Sequence, residues 1–320
     1  MRRYVAGVLL SGMALVIAAT TGGAQTWPTQ QIRMVVPFAA GGGSDILARL
    51  IAEPLTRSLG QTIVVENKPG AGATIGADLV AKSPPDGYTW LFTTAGPQIT
   101  NPFLMAKLPY DPFKDFAPVA MLAKSVNVLV VHPDIPARDV KELIAYAKAN
   151  PGKLNFSSSG VGASSHLAGE LFKQVAGVEI THVPYRGTGP STTDLISGTV
   201  QMAIDSASTL LPHIRGGRLR ALGFATIERQ PAMPELPPIA DTLPGFDGSS
   251  INYISVPAGT PQPIIERLNR EINVVLADRG ISGRMTEQAI MPIIETQAAL
   301  ATRIADEQKK WKKVIEGMAK

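Results

Sequence analysis

Short runs of nearly continuous apolar character recur along the chain, each followed by a stretch with helical spacing. Ile32 to Phe38 (IRMVVPF), Thr62 to Asn67 (TIVVEN), Tyr88 to Ala95 (YTWLFTTA) and Val126 to His132 (VNVLVVH) are runs of this kind. Their length and composition suit strands buried on both faces. KLNFSSS, ITHVPY, VQMAID and LRALGFAT continue the series. A helix is predicted over about Val140–Ala149. It opens with Asp139 and Glu142 in capping-box spacing and stops before Asn150-Pro151-Gly152. Further helices are expected near Ser165–Val175, Thr192–Ile196 and Leu210–Ile214. A longer one follows Pro263, with Ile264, Ile265, Leu268, Ile272, Val275 and Leu276 on one face and Gly280 past its end. Apolar strands alternating with helices predict an α/β fold with parallel sheets covered by helices on both faces.

Two places break the rhythm. PVAMLAKSVNVLVV (Pro118 to Val131) reads as one long strand-like crossing, and the segment from Glu228 to Gly259 is rich in proline and glycine. These seams predict two domains. One combines residues 27–123 with 253–320, and the other spans 124–252 and includes the hinge crossings.

The N-terminus changes the count. Met1 to Arg3 are positive, the apolar run YVAGVLLSGMALVIAAT follows, and Gly22 to Ala24 offer small residues at a cleavage position. The pattern is that of a signal peptide covering 1–24 and therefore of export, with 296 residues remaining. The rest of a twin-arginine signature is missing around Arg2-Arg3. The apolar run is broken by Ser11 and Gly12, which favours removal over membrane anchoring. No later segment is long and apolar enough to span a bilayer, so the processed chain is expected to be soluble.

Composition excludes several chemistries. There is no cysteine, hence no disulfide and no thiol nucleophile. An exported chain without disulfides must rely on its core, and 45% apolar residues suffice to build one. Without Arg2 and Arg3, 28 basic residues face 26 acidic ones, which gives no reason to expect nucleic acid as a partner. The basic stretch Lys309 to Lys313 lies on a helical pattern whose apolar face is Leu300, Ile304, Trp311, Ile315 and Met318. It reads as a solvated face.

The candidate chemistry lies in two loops. Gly41, Gly42 and Gly43 follow the first strand, and Ser44 and Asp45 suit the first positions of a helix. Bare backbone and free N–H groups at a helix start favour an anion by roughly 0.3–1 kcal/mol, or up to about 2 kcal/mol when partly buried. An ordinary tight turn with a cap explains that loop equally well. The second loop, FSSSGVGASSHLAGELF (Phe156 to Phe172), repeats the plan of strand, Ser/Gly loop and helix. Two such loops separated by a hinge-like crossing suggest a ligand gripped from opposite sides. Neither contains lysine or arginine, which argues for carboxylates held by neutral donors; Arg186 is the nearest candidate countercharge, although a solvent-facing role is the better-supported reading of it.

These segments carry a resemblance. VPFAAGGGSDILARLIA, VVENKPGAGATIGA, PPDGYTWLF, FSSSGVGASSHLAGELF, HVPYRGTGPSTTDLISG and PHIRGGRLRALGFAT occur in the order seen in the Bug-type periplasmic receptors of tripartite tricarboxylate transporters. The chain resembles that family over almost its whole processed length. The resemblance implies a type II periplasmic-binding fold, two α/β domains with a ligand cleft between them. It also implies capture of a small organic carboxylate: a di- or tricarboxylate, an acidic amino acid or an aromatic acid. By the same resemblance, Phe38, Ala39, Ala40, Gly43, Ser44 and Asp45 match the first-domain loop, and Thr94 and Ala95 end a strand at the same rim. Ser158, Ser159, Gly160, Ala163 and Ser164 match the second-domain loop, and Asp205 falls where the family has an aspartate beside the cleft. The chain departs from the pattern at Pro54, which should kink or end the first helix early. It also departs at Ala40, where proline is common, and in DSAST, which lacks the asparagine often found after that aspartate. The expected partners are the carboxylate and the membrane subunits of such a transporter, with the receptor itself a monomer. No cofactor is expected.

Rival chemistries find less support in the residues. Gly70 to Gly76 (GAGATIG) imitates a nucleotide fingerprint, but Asn67-Lys68-Pro69 separates it from its strand. No Walker motif is present. His166 is close in sequence to Ser164 and Ser165, but residues one or two apart on a helix do not face each other, and G-x-S-x-G is missing. His132, His166, His182 and His213 lack metal-ligand spacing, so no metal is expected. An exported hydrolase or isomerase acting on a small organic acid remains the alternative to a non-enzymatic receptor.

Overall fold

The structure, a computed structural model, describes residues 27–318. The expected signal peptide lies outside the described residues. In chain order the strands are β1 (Ile32–Val36), β2 (Ile63–Asn67), β3 (Thr89–Thr93), β4 (Phe116–Ser125), β5 (Asn127–Val131), β6 (Asn155–Ser158), β7 (Thr181–Pro184), β8 (Met202–Ser206), β9 (Arg220–Phe224), β10 (Ser250–Pro257) and β11 (Ile290–Pro292). The helices are α1 (Gly43–Leu59), α2 (Thr74–Ala81), α3 (Asn101–Leu104), α4 (Val140–Ala149), α5 (Ser164–Ala176), α6 (Thr188–Ile196), α7 (Ala207–Arg215), α8 (Gln262–Ala277), α9 (Arg279–Glu287) and α10 (Gln297–Met318).

The strands form two sheets, a six-stranded one ordered β11-β4-β10-β3-β1-β2 and a five-stranded one ordered β7-β6-β8-β5-β9. The expectation of parallel sheets holds only in part. β1 is parallel to β2 and β3, and β6 is parallel to β7 and β8. β10, β4 and β11 are paired antiparallel, as is β5 with β8 and β9. The cause is the path of the chain. It leaves the first sheet through β4, with Val126 alone separating β4 from β5, and it re-enters through β10. A chain that crosses out and back lays two strands side by side in opposite directions. Ser250 pairs with Ser125 in that ladder, and the ladder shifts register at Asn252/Tyr253 and Ile254/Ser255. Asn127 Nδ2 donates to Gly248 O (2.8 Å) and Asn252 Nδ2 to Ser125 Oγ (2.7 Å), so the two crossings are tied to each other.

Each sheet has its own core. Met34, Trp90, Phe92 and Val119 pack with Leu47, Ile51, Leu268 and Ile272 of α1 and α8. Around the second sheet, Leu129, Phe156, Phe172 and Ile204 cluster on one face and Val128, Val130, Leu195 and Phe224 on the other. Each fully buried side chain of this size contributes about 1.5–3 kcal/mol. α10 ties the sheets together, because Leu300, Trp311 and Ile315 share a cluster with Leu167 of α5. That apolar face is the one predicted around Lys309 to Lys313.

Local signals translate unevenly into elements. α4 covers Val140–Ala149, and Asp139 Oδ1 accepts from Glu142 N (2.7 Å). The return bond of the capping box is displaced by one residue, because Glu142 Oε2 accepts from Arg138 N. α1 runs through Pro54 to Leu59, so the early end does not occur. Gly280 does not close α8; Asp278 intervenes and caps α9, accepting from Gly280 N and Ile281 N at 2.9 Å each. Among the described residues no helix is long and apolar enough to cross a membrane.

Candidate functional site

The first glycine loop leaves β1 and turns into α1 with Gly42 as the N-cap residue, in extended backbone (φ −81°, ψ 167°) and with no side-chain cap. Gly41 takes φ +78°, a conformation that favours glycine. The first intrahelical hydrogen bond is Ile46 N to Gly42 O (3.0 Å), so the N–H groups of Gly43, Ser44 and Asp45 precede the helical ladder. Asp45 supplies no cap. Its Oδ2 accepts from Gly41 N (2.9 Å), and its Oδ1 accepts from Asn67 Nδ2 and Arg49 Nε (both 3.0 Å). Burial pushes this carboxyl up, but the bonds from Arg49, Gly41 and Asn67 outweigh it and hold it below the usual carboxylate range. Asp45 therefore shapes the loop from within.

The second loop repeats the arrangement. Ala163 is the N-cap of α5 without a side-chain cap, and Leu167 N to Ala163 O (3.1 Å) is the first helical bond. The starts of α6 and α7, at Gly187 and Ser206, also lack side-chain caps. Residues from all four helix starts line one cavity of about 40 Å³: Gly42, Gly43 and Ser44; Ala163 and Ser164; Thr188; Ser206. Its floor is formed by the crossing strands through Ser125, Asn127, Ser250 and Asn252. Phe38, Ala39, Thr94, Ser159 and Asp205 complete the wall. The volume is a few times what one water needs, which suits one carboxylate group.

Asp205 is the single ionisable residue in that wall. It is 2% exposed, and its Oδ1 accepts from Ser206 N (2.7 Å) and Thr188 Oγ1 (3.2 Å). Oδ2 is buried without a hydrogen-bond partner within the protein, as is Thr94 Oγ1. Burial pushes the Asp205 carboxyl up to about 6, against the hydrogen bonds from Ser206 and Thr188, with the nearby Ser165 hydroxyl pulling in the same downward sense. The Ser165 hydroxyl is also committed to Ser159 N and Ser159 Oγ (2.9 Å each). Two unsatisfied polar atoms in one small wall are costly unless a bound group completes them.

Of the residues assigned by resemblance, Phe38, Ala39, Gly43, Ser44, Thr94, Ser159, Ala163, Ser164 and Asp205 come together in this cavity. Ala40, Asp45, Ala95 and Ser158 are in neither its wall nor that of the neighbouring chamber, and Gly160 lines that chamber. Ala40 is exposed and Ala95 is buried in the apolar cluster beside α10. Ser158 is buried, with its Oγ 2.6 Å from His182 Nε2. The His182 ring stacks between Phe156 (4.9 Å) and His166 (4.1 Å). Burial lowers His166 to about 4 and His182 to about 3, so both rings are neutral at neutral pH. This stack braces the second loop from behind.

The residues that sequence reasoning missed are Ser125, Asn127, Thr188, Ser206, Ser250 and Asn252. Their signal was polar residues inside otherwise apolar strand runs, such as KSVNV and SINYIS, and the start of a helix after Gly187. The reason for Gly43 also changes. Its backbone would accept any residue, but a Cβ would overlap the Ser206 side chain and come 2.8 Å from Ser206 Cβ. The two sides touch there, and again where Thr100 Oγ1 donates to Gly162 O (2.9 Å) and where Gly187 meets Ala39.

A second, wider chamber of about 370 Å³ adjoins the first and shares Phe38, Ser159 and Ala163 with it. The glycine segment Gly70 to Ala73 lines it, with Ala71, Gly72 and Ala73 all at positive φ. That segment is irregular backbone between β2 and α2, held by Asn101 Nδ2 donating to Gly72 O (2.8 Å).

Comparison with known proteins agrees with this fold. Residues 47–319 match the model of the tripartite tricarboxylate transporter family receptor. The chain is 37% identical to R. palustris Rpa4515 with adipate, with a TM-score of 0.88 over 91% of this chain and 97% of that one. Similarity to the periplasmic binding protein BugD is 32% identity and a TM-score of 0.86 over 91% and 98% of the two chains. MatC from Rhodopseudomonas palustris with bound malate shares 32% identity and a TM-score of 0.84, covering 90% of this chain and all of that one.

Proposed function

The chain belongs to the receptor family of the tripartite tricarboxylate transporters, and from that premise we propose how it holds its ligand. It is a receptor for a small organic carboxylate, which fits the adipate and malate of its structural relatives. One carboxylate sits in the narrow polar cavity. The N–H groups at the starts of α1 and α5 and the hydroxyls of Ser44, Thr94 and Ser164 hold it. The observation that carries this reading is four uncapped helix N-termini meeting at a cavity whose wall contains no cationic side chain. Free helix N–H groups with the dipole behind them are the donors left for an anion there.

The two domains are residues 27–123 with 253–320, and 124–252 between them. The paired crossings at Val126 and before Ser250 serve as the hinge. Ligand favours the closed form because only there do both loops reach one molecule. The receptor works in the periplasm after loss of residues 1–24 and passes its ligand to membrane subunits of the transporter. It performs no chemistry on the ligand. A Ser–His contact exists at Ser158 and His182, but the serine is fully buried and outside the cavity wall, which does not favour a hydrolase.

Thermal unfolding tests the reading. Adipate or malate at about 100 times its Kd should stabilise the protein by about 2.7 kcal/mol, and the corresponding diamide should not. Equal stabilisation by the uncharged diamide would remove the anion site.

A further inference from the structure

A single carboxylate in the polar cavity leaves the wide chamber next to it without an occupant. The chamber is several times larger than its neighbour and is walled largely by apolar groups, among them Pro37, Met105, Val161 and Pro184. Arg186 is the single ionisable side chain at its wall apart from Tyr185. Among the described residues no ion pair includes Arg186. The neighbouring Tyr185 is engaged elsewhere, its Oη donating to Asp194 Oδ2 at 2.6 Å. The Arg186 backbone is fixed on both sides: Tyr185 N donates to Ser158 O (3.0 Å), and Gly187, at φ +141°, abuts Ala39 of the opposite loop. Only the guanidinium end is uncommitted.

We propose that this chamber receives the far end of the ligand, so that the receptor selects linear dicarboxylates whose apolar spacer is at least as long as adipate's, with Arg186 as countercharge for the distal carboxylate. This rests on the reading that the polar cavity holds one carboxylate. The two cavities are complementary in the way such a ligand is. The small one offers neutral donors and the buried Asp205, which disfavours a second anion beside the first. The large one offers apolar surface that takes methylenes out of water, and then a single cation. A short hydroxylated acid would place its polar groups against the apolar wall and leave Arg186 unused. A monocarboxylate of the same length would fill the chamber without engaging the guanidinium.

Calorimetry on the processed protein distinguishes these outcomes with adipate, adipate monoamide and succinate. Adipate should bind about three- to tenfold more tightly than its monoamide, between the value of an exposed ion pair and that of a charged hydrogen bond removed from water. It should also bind more tightly than succinate. In Arg186→Gln the advantage over the monoamide should fall to near one, with monoamide affinity unchanged. If the ratio persists in Arg186→Gln, or succinate binds as tightly as adipate, the distal site is overturned and the carboxylate receptor stands. Failure of all three acids to bind overturns both.

Discussion

Two groups of helices in this protein begin in different ways, while α2, α3 and α8 start without a side-chain cap away from the polar cavity. α4 and α9 touch neither cavity, and each brings its own anion: Asp139 accepts from Glu142 N, and Asp278 from Gly280 N and Ile281 N. α1, α5, α6 and α7 meet at the polar cavity, and none has a side-chain cap. An N-cap carboxylate is worth about 1 kcal/mol, so four open helix ends forgo a few kcal/mol of stability. At these four starts the helix ends converge on one cavity, which the uncapped start of α8 does not reach. α1 is the sharpest case, because Asp45 is near enough to bond Gly41 N and yet is turned back into the loop by Arg49 and Asn67.

The largest effect should come from converting one kind of start into the other. Gly42 has the extended backbone of an N-cap, and a Cβ there would meet only Ala39 O at 3.4 Å and Thr188 Oγ1 at 4.0 Å. Gly42→Asp should therefore fold, gaining a few tenths to about 1 kcal/mol from capping and the dipole. Its carboxylate would occupy the donors that the ligand needs, and affinity for adipate should fall by more than about a hundredfold, the equivalent of about 2.7 kcal/mol. Calorimetry and thermal melts on the same sample read both. Unchanged affinity with raised stability would show that the α1 donors do not hold the ligand.

What the sequence revealed follows the same division. α4 was legible to the residue because its cap, apolar face and Asn150-Pro151-Gly152 stop are all local. The glycine loop was legible as the start of a helix because its signals lie in adjacent residues. The role of Asp45 was not, since it depends on Asn67 across a strand. Ser158 looked like Ser164, and only the pairing of β6 with β7, which brings His182 alongside, separates a bracing hydroxyl from one in the cavity. The antiparallel strands were hidden for the same reason. β10 owes its direction to a return crossing, and nothing in SINYISVP encodes its partner.

Asp205 permits a smaller, graded test. Its carboxyl is raised by burial from 3.8 to about 6, so the folded protein keeps a proton that the unfolded chain has already lost. Asp205 therefore contributes roughly 3 kcal/mol of stability that is lost as pH rises from about 4 to above 6, opposed over the same range by His166 and His182, whose neutral buried rings favour higher pH. A ligand carboxylate beside an ionised Asp205 would add repulsion, whereas a protonated Oδ2 can donate to it. Affinity for adipate should therefore decline above about pH 6, by at most about tenfold per pH unit, as one proton is taken up on binding. Serine and threonine hydroxyls and amides surround Asp205 in the wall, so no other charged group there masks the trend. Asp205→Asn should flatten the affinity curve, and its stability should differ from that of the unaltered protein by an amount that changes with pH between about 4 and 6. A pH-independent affinity in the unmodified protein between pH 6 and 8 would show that Asp205 does not share its site with the ligand's charge.

The smallest effects should come from the capped helices. Asp139→Ala and Asp278→Ala each leave the donors of one helix start without their carboxylate, at a cost of about 0.5–2 kcal/mol. Asp278 should be the more sensitive, because one oxygen accepts two N–H groups at 2.9 Å, whereas α4 keeps the Glu142 bond to Arg138 N. Neither residue lines the polar cavity or the adjoining chamber, so the affinity for adipate should stay within about twofold of the unaltered protein while the melting temperature drops. Paired measurements on Ser164→Ala supply the counterpart: Ser164 is a wall residue at an open helix start, so affinity should fall and stability should barely change. If a cap variant lost affinity in step with stability, the two kinds of helix start would not be independent. The open ends would then owe their character to the rigidity of the whole fold rather than to the ligand they face.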